Sequence, residues 1–214
     1  MKKNIVKSWA SLSGLFISEP QLGKMSALQL LVLESNKVMN LTAITKDEDF
    51  ALKHFIDSLT LLPYLEDANS LCDIGSGAGF PGLVLAIMKE NISFTLIDSI
   101  KKRALFLEKA ISTLELKNVR CLHMRAEDCN LEFDIVTARA VAPLKKLAKW
   151  GLPLVKSGGK LLAMKGFDVS EELPKAEAEI KKQGGIITKT DRIEISPGLK
   201  RTIINLEKVS KNGN

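Results

Sequence analysis

Aromatic residues make up only 5% of the 214-residue chain, which also has just two histidines and three cysteines. So small an aromatic content argues against a broad platform on which nucleobases stack. The two histidines stand far apart with no cysteine pair beside them, so no metal cluster is expected. Cys72, Cys121 and Cys129 are odd in number, lack C-x-x-C spacing and read as buried free thiols. The absence of G-x-x-x-x-G-K-S/T excludes an ordinary P-loop nucleotidase. No G-x-S-x-G elbow exists, and His54, Asp57 and Ser58 share one expected helix, so hydrolase chemistry lacks a triad. Long apolar runs are missing too. Lys7 and its polar neighbours break up MKKNIVKSWASLSGLF, leaving no signal-peptide core and no membrane span, so a cytoplasmic protein is expected.

The net charge of +6 is unevenly spread. Residues 1–70 carry 7 Lys+Arg against 8 Asp+Glu, residues 71–139 carry 9 against 9, and residues 140–214 carry 15 against 8. An excess confined to the last third suits one side of a molecule that meets phosphates, although Lys-rich solvated helices such as KKLAKW would also produce it.

With 45% hydrophobic residues, the chain is long enough to bury one α/β core. From Pro20 to Met39 a helical stripe runs through Leu28, Leu31, Val32, Val38 and Met39. Asp47 is expected to cap a second helix through Phe50, Phe55 and Leu59 that Pro63 stops, with NLTAIT as the connector. After Leu71 the pattern becomes strands separated by helices. The strands are LCDI, FTLID, VRCLH, FDIVTARA, KLLAMKG, a stretch near IITKTDRIEI, and TIINLEK. The helices are Gly82–Lys89, Lys102–Leu116, Leu144–Leu154 and Val169–Gln183. Such alternation implies a largely parallel sheet with helices on both faces and a ligand crevice at the strands' carboxyl ends.

The stretch CDIGSGAGFPG joins the first of these strands to a helix that Pro81 starts. It contains G-x-G-x-x-G from Gly77 but G-x-G-x-G from Gly75, and the two spacings imply different cofactors. Asp73 decides between them. A carboxylate at the mouth of the loop is poorly placed for a pyrophosphate, whereas it can orient the ammonium and sulfonium of S-adenosyl-L-methionine. Asp98, ending FTLID, suits the two ribose hydroxyls of either cofactor, or a helix N-cap. RAED (Arg125–Asp128) places Ala126 and Glu127 where an amide and a carboxylate read an adenine edge. In ARAVAPL, Arg139 is expected at a strand end beside the reacting methyl, to contact a phosphate, a guanine edge or the donor's carboxylate, or else in an internal ion pair. Phe80 and Phe167 are each expected against a base or in the core, with the core favoured for Phe167.

Taken together, D-I-G-S-G-A-G-F-P-G, D-S-x-x-K-R-x-x-F-L at Asp98–Leu107, R-A-E at Arg125–Glu127, A-R-A-V-A-P-L and M-K-G at Met164–Gly166 resemble the bacterial 16S rRNA guanine-N7 methyltransferase G (RsmG, GidB) family. N-x-x-x-N-L-T-A-I at Asn36–Ile44 and H-F-I-D-S-L at His54–Leu59 agree, and the likeness runs from about Met25 to Lys208. The family often has an aromatic where this chain has Ser35.

The resemblance implies a Rossmann-like class I S-adenosylmethionine-dependent methyltransferase fold: a mostly parallel seven-stranded sheet with helices on both faces, plus an N-terminal helical extension. Residues 1–66 would form the extension and 67–214 the core. It further implies methylation of a guanine in the 530 loop of 16S rRNA, on the RNA or the small ribosomal subunit, by a monomer without a metal. Donor contacts would fall on Gly75, Gly77, Phe80, Asp98, Ala126, Glu127 and Arg139. Asn40, His54, Arg139 and Lys165 would contact the RNA or line the substrate pocket. Guanine N7 carries a lone pair and no proton, so the transfer needs alignment and desolvation but no catalytic base. A loop guanine is the reachable target, because the deep groove of A-form RNA hides N7. A small-molecule methyltransferase and a noncatalytic RNA-binding module remain open, with a nicotinamide oxidoreductase a weaker alternative.

Overall fold

The computed structural model describes residues 1–209. Its first helix, α1 (Lys3–Leu12), has no side-chain cap and is anchored by buried Val6 and Ala10, so tertiary packing rather than a local signal sets it. α2 (Glu19–Met39) opens with a capping box: Ser18 N–H donates to Gln21 Oε1 at 2.8 Å and Gln21 N–H donates to Ser18 Oγ at 3.4 Å. Leu22, Met25, Leu28 and Val32 face the core. Val38, expected in that stripe, is 82% exposed. It lies six residues beyond Val32, about 240° round the helix.

Asp47 does not cap the next helix. Its Oδ1 accepts from Gln29 Nε2 on α2 at 2.8 Å. That helix runs as α3 (Asp47–Phe50), a π-helical segment (Ala51–Ile56) and α4 (Asp57–Leu59). The rest alternates: β1 (Ser70–Ile74), α5 (Gly82–Met88), β2 (Ser93–Asp98), α6 (Lys101–Thr113), β3 (Val119–His123), β4 (Phe133–Arg139), α7 (Leu144–Gly151), β5 (Val155–Lys165), α8 (Glu172–Lys182), β6 (Gly185–Ser196) and β7 (Leu199–Lys208).

All seven expected strands join one sheet in the order β3-β2-β1-β4-β5-β7-β6. The first five are parallel; β7 runs antiparallel between β5 and β6. Alternate residues of each central strand feed two cores, as the two-residue period of a strand requires. Leu71, Phe94 and Leu96 pack with α1, α2, α5 and α6 on one face. Cys72, Ile74 and Ile97 pack with α7 and α8 on the other. Cys72 and Cys129 are buried free thiols, but Cys121 is half-buried, correcting its expected burial. Among the described residues no helix is long and apolar enough to cross a membrane. The chain reverses direction of winding between β1 and β4, which opens a crevice at their carboxyl ends.

Candidate active site

Two loops meet at this switch point: the glycine loop after β1 and Ala140–Pro143 after β4. Gly75 donates its N–H to Ile97 O at 2.7 Å, which ties the loop to the end of β2. Its φ of +66° suits glycine, and an added Cβ would stand 2.8 Å from Val141 Cγ2. Gly77, at φ +57°, donates its N–H to Asp98 Oδ2 at 2.9 Å. The other Asp98 oxygen accepts from Ile100 N–H, also at 2.9 Å. Asp98 therefore shapes the loop and the start of α6 at once, and each oxygen keeps a lone pair for a further donor.

Asp73 is not at the loop's mouth, as the sequence reading placed it. It is fully buried behind the loop, where Oδ2 accepts from Gly82 N–H at 3.0 Å and Oδ1 has no partner. Burial pushes its carboxyl up to about 7, with the Gly82 N–H working against that rise. Asp73 thus anchors the N-terminus of α5 and does not face the crevice.

On one side of Gly75 lies a slot of about 200 Å³ lined by Ile74, Ile97, Ser99, Ala126, Glu127 and Trp150, among others. Ala126 is buried in its floor and Glu127 stands exposed at its edge, in the 3₁₀ turn Ala126–Asp128. On the other side is a cavity of about 420 Å³ whose lining includes Gly77, Phe80, His54, Arg139 and Lys165. Gly75 borders both, so the slot and the cavity are two lobes of one crevice.

The cavity's far wall is built on Arg139. Its Nη1 donates to Lys53 O at 2.6 Å and to Asp57 Oδ2 at 2.9 Å; its Nη2 donates to His54 Nδ1 at 3.0 Å. Arg139 forms the internal ion pair and also lines the cavity. The π-helical segment turns His54 and, three residues on, Asp57 toward it. Because a guanidinium only donates, His54 Nδ1 accepts, Nε2 carries the proton, and Nε2–H reaches Thr42 Oγ1 at 2.9 Å. Burial, reinforced by the Arg139 charge, lowers the His54 pKa to about 3, so the ring is neutral at pH 7. Phe80 stacks on it at a centroid distance of 4.3 Å and an angle of 8°. Arg201, from β7, brings Nε within 3.2 Å of Asp57 Oδ1.

The remaining expected positions divide. Lys165 reaches the cavity, but its ammonium donates to Ala142 O and to Glu172 Oε1, both at 2.7 Å, and Glu172 also accepts from Leu144 N–H at the start of α7. Asn40 is exposed at φ +51°, ending α2; its neighbour Leu41 lines the cavity, and Asn40 itself does not. Asn36 braces this turn with both side-chain atoms, donating to Thr42 O and accepting from Thr42 N–H at 2.9 Å each. Sequence reasoning missed Asp57, Thr42 and Arg201. Asp57 stood in the H-F-I-D-S-L motif; Arg201 had no signal beyond the basic last third. Among the described residues no group of three His, Cys, Asp or Glu side chains is arranged to hold a metal ion.

The family model described as "rRNA small subunit methyltransferase G" (GidB) matches residues 21–201. A curated "Ribosomal RNA small subunit methyltransferase G" from Clostridium botulinum (strain ATCC 19397 / Type A) is 40% identical, over 98% of this chain and 92% of its own. Among solved structures, a methyltransferase from Pyrococcus furiosus superposes with a TM-score of 0.60 at 16% identity, covering 86% of this chain and all of that one. NSun6 from Pyrococcus horikoshii, solved with SFG, gives 0.56 at 17% identity, over 73% of this chain and 52% of that one. These two likenesses speak to the fold. The motifs, the crevice and the family match together establish that the chain belongs to the rRNA small subunit methyltransferase G family, S-adenosylmethionine-dependent methyltransferases.

Proposed function

We propose that this protein transfers a methyl group from S-adenosyl-L-methionine to N7 of a guanine in the 530 loop of 16S rRNA, without a general base. The observation that carries the reading is the state of the acid–base groups around the cavity. His54 is neutral with both ring nitrogens engaged, Asp57 is ion-paired, and Asp73 lies behind the loop. None is free to accept a proton from a substrate. That suits N7, which has no proton to lose, better than N1 or N2.

The residues present fit the donor. The slot offers apolar walls at Ile74, Ile97 and Ala126, with Ser99 and Glu127 as polar groups at its edge. Gly75, Gly77, Asp98, Ala126 and Glu127 would hold the nucleoside end; Phe80 and Arg139 would border the methionine end. The donor supplies a sulfonium methyl that is electrophilic without further activation. His54 and Phe80, stacked as one rigid wall, exclude water and fix the plane against which a base enters, while Arg139 presents positive charge to it. Lys165, through Glu172, holds α7 in place beside the cavity. Residues 1–66 act as a helical extension that completes this wall, and residues 67–209 as the methyltransferase core; the last five residues of the expected 67–214 core lie outside the described residues.

The test is methyl transfer from labelled S-adenosylmethionine to small ribosomal subunits, naked 16S rRNA and transfer RNA, followed by chemical cleavage at 7-methylguanosine. Label confined to one 530-loop guanine is expected. Label on another atom or another RNA overturns the assignment of target. No transfer to any RNA, with the donor still bound, points to a small-molecule substrate.

A further inference from the structure

Phe167, for which the sequence favours the core, is instead 42% exposed. It lies two residues past the end of β5, next to Gly166, which lines the cavity. Its backbone is tied down: Thr202, fully buried, donates its hydroxyl to Phe167 O at 2.7 Å. Two cations from the hairpin lie over the ring, Arg192 Cζ and Lys200 Nζ each 5.3 Å from its centroid. Across β6 and β7, Arg192 pairs with Thr202 and Glu194 with Lys200, so these four share one face of the hairpin. Glu194 and Asp168 supply some negative charge nearby; Asp168 is drawn below the usual carboxylate range, chiefly by the Ser170 N–H and less by Arg192. Arg201 leaves the opposite face of β7 and reaches Asp57 in the cavity wall.

A ring at the rim of a cavity, on a fixed backbone and beside two exposed cations, keeps much of its surface open to solvent. Its chemistry is that of a stacking site for a nucleobase, with positive charge beside it for the neighbouring phosphates. We propose that Phe167, Arg192 and Lys200 form a subsite that stacks one unpaired base of the RNA beside the target nucleotide. This rests on the reading that RNA enters the cavity. One stacked base at the rim is compatible with the low aromatic content, which rules out only a broad platform.

The test measures binding to naked 16S rRNA and to assembled small subunits, with S-adenosylmethionine affinity measured by calorimetry as the control for folding. F167A and F167L are each expected to weaken binding to naked RNA roughly tenfold or more, and F167W to stay within about twofold. Donor affinity should not change. R192A and K200A should each lower the salt slope of RNA binding by about one, whereas F167A leaves it unaltered. Unsubstituted-like binding by F167A or F167L overturns the stacking role, and weakening seen only with assembled subunits means the ring meets a protein. If the unsubstituted chain neither binds nor methylates RNA, the functional reading itself fails and takes the subsite with it.

Discussion

The two walls of the crevice are built from different materials. On the glycine-loop side, backbone N–H groups of Gly75, Gly77 and Gly82 meet one carbonyl and two carboxylates, all within residues 73–98. On the opposite side, side chains of Thr42, His54, Asp57, Arg139 and Arg201 converge from positions up to 159 residues apart in sequence. A backbone wall depends on local conformation and tolerates a change of side chain only where none projects. A side-chain wall depends on every partner being present. The first should fail gradually under substitution, and the second abruptly.

The sharpest test of that contrast is Asp57→Ala. Asp57 is buried and is the carboxylate shared by Arg139 and Arg201. Removing it leaves the Arg139 guanidinium, itself 17% exposed, without its carboxylate, which costs up to about 3–5 kcal/mol of stability. Denaturant unfolding should show a loss of that size, and methyl transfer should fall at least about 100-fold as Arg139 and His54 lose their positions. A loss under 1 kcal/mol would mean that the backbone contact of Arg139 to Lys53 O holds the wall by itself.

The same contrast explains how much was legible in the sequence. The glycine loop, Asp98 and the seven strands were readable because each is a local pattern: a turn needing positive φ, an acid at a strand end, an apolar run of period two. Even there Asp73 was placed on the wrong side of the loop, because strand position does not tell which way a side chain points through a turn. The opposite wall was mostly hidden. His54 and Lys165 came from the family resemblance, Arg139 from its place at the end of the fourth strand, and Asp57 was weighed only as a member of a missing triad. Arg201 lies on a strand whose neighbours are fixed by the antiparallel insertion of β7 between β5 and β6, a tertiary fact with no trace in local spacing. The core reading favoured for Phe167 failed for a related reason, since hydrophobicity alone favours burial and the cations over the ring come from β6 and β7.

On the backbone wall, Asp98→Ala should reduce S-adenosylmethionine affinity about 10- to 100-fold and leave RNA affinity nearly unchanged, as calorimetry and filter binding would show. A hydrogen bond to a charged group is worth about 1.5–3 kcal/mol, and the substitution also frees the N–H groups of Gly77 and Ile100. Equal loss of both affinities would remove Asp98 from the donor site. Gly75→Ala is expected to act more mildly. The left-handed conformation costs an L-residue about 1–2 kcal/mol, and the added Cβ presses on Val141. Pairing it with Val141→Ala should restore the part of donor affinity lost to crowding but not the part lost to strain. Full restoration would show that φ at Gly75 carries no cost.

The smallest net effect, because two opposed contributions offset one another in the unsubstituted chain, and the one that separates the walls by sign, is the pH dependence of stability. Asp73 behind the backbone wall has its carboxyl raised to about 7, so the folded chain holds a proton that the unfolded chain releases near pH 4, and stability falls as pH rises between those values. His54 in the side-chain wall is lowered to about 3, so the unfolded chain binds a proton that the folded chain refuses, and stability rises with pH from about 3 to 6.5. Between about pH 4 and 6.5 the two slopes, each at most about 1.4 kcal/mol per pH unit, oppose one another. Asp73→Asn should therefore leave stability rising with pH in that window, and His54→Gln should leave it falling. Both substituted chains need only enough residual stability for denaturant midpoints to be read at several pH values, because the sign of the slope, not its height, is the readout. If both slopes match the unsubstituted chain, neither group titrates between its two states as its surroundings dictate. A neutral His54 across the whole activity range would then lose its support, and with it the strongest argument that this wall positions a base and takes no proton from it.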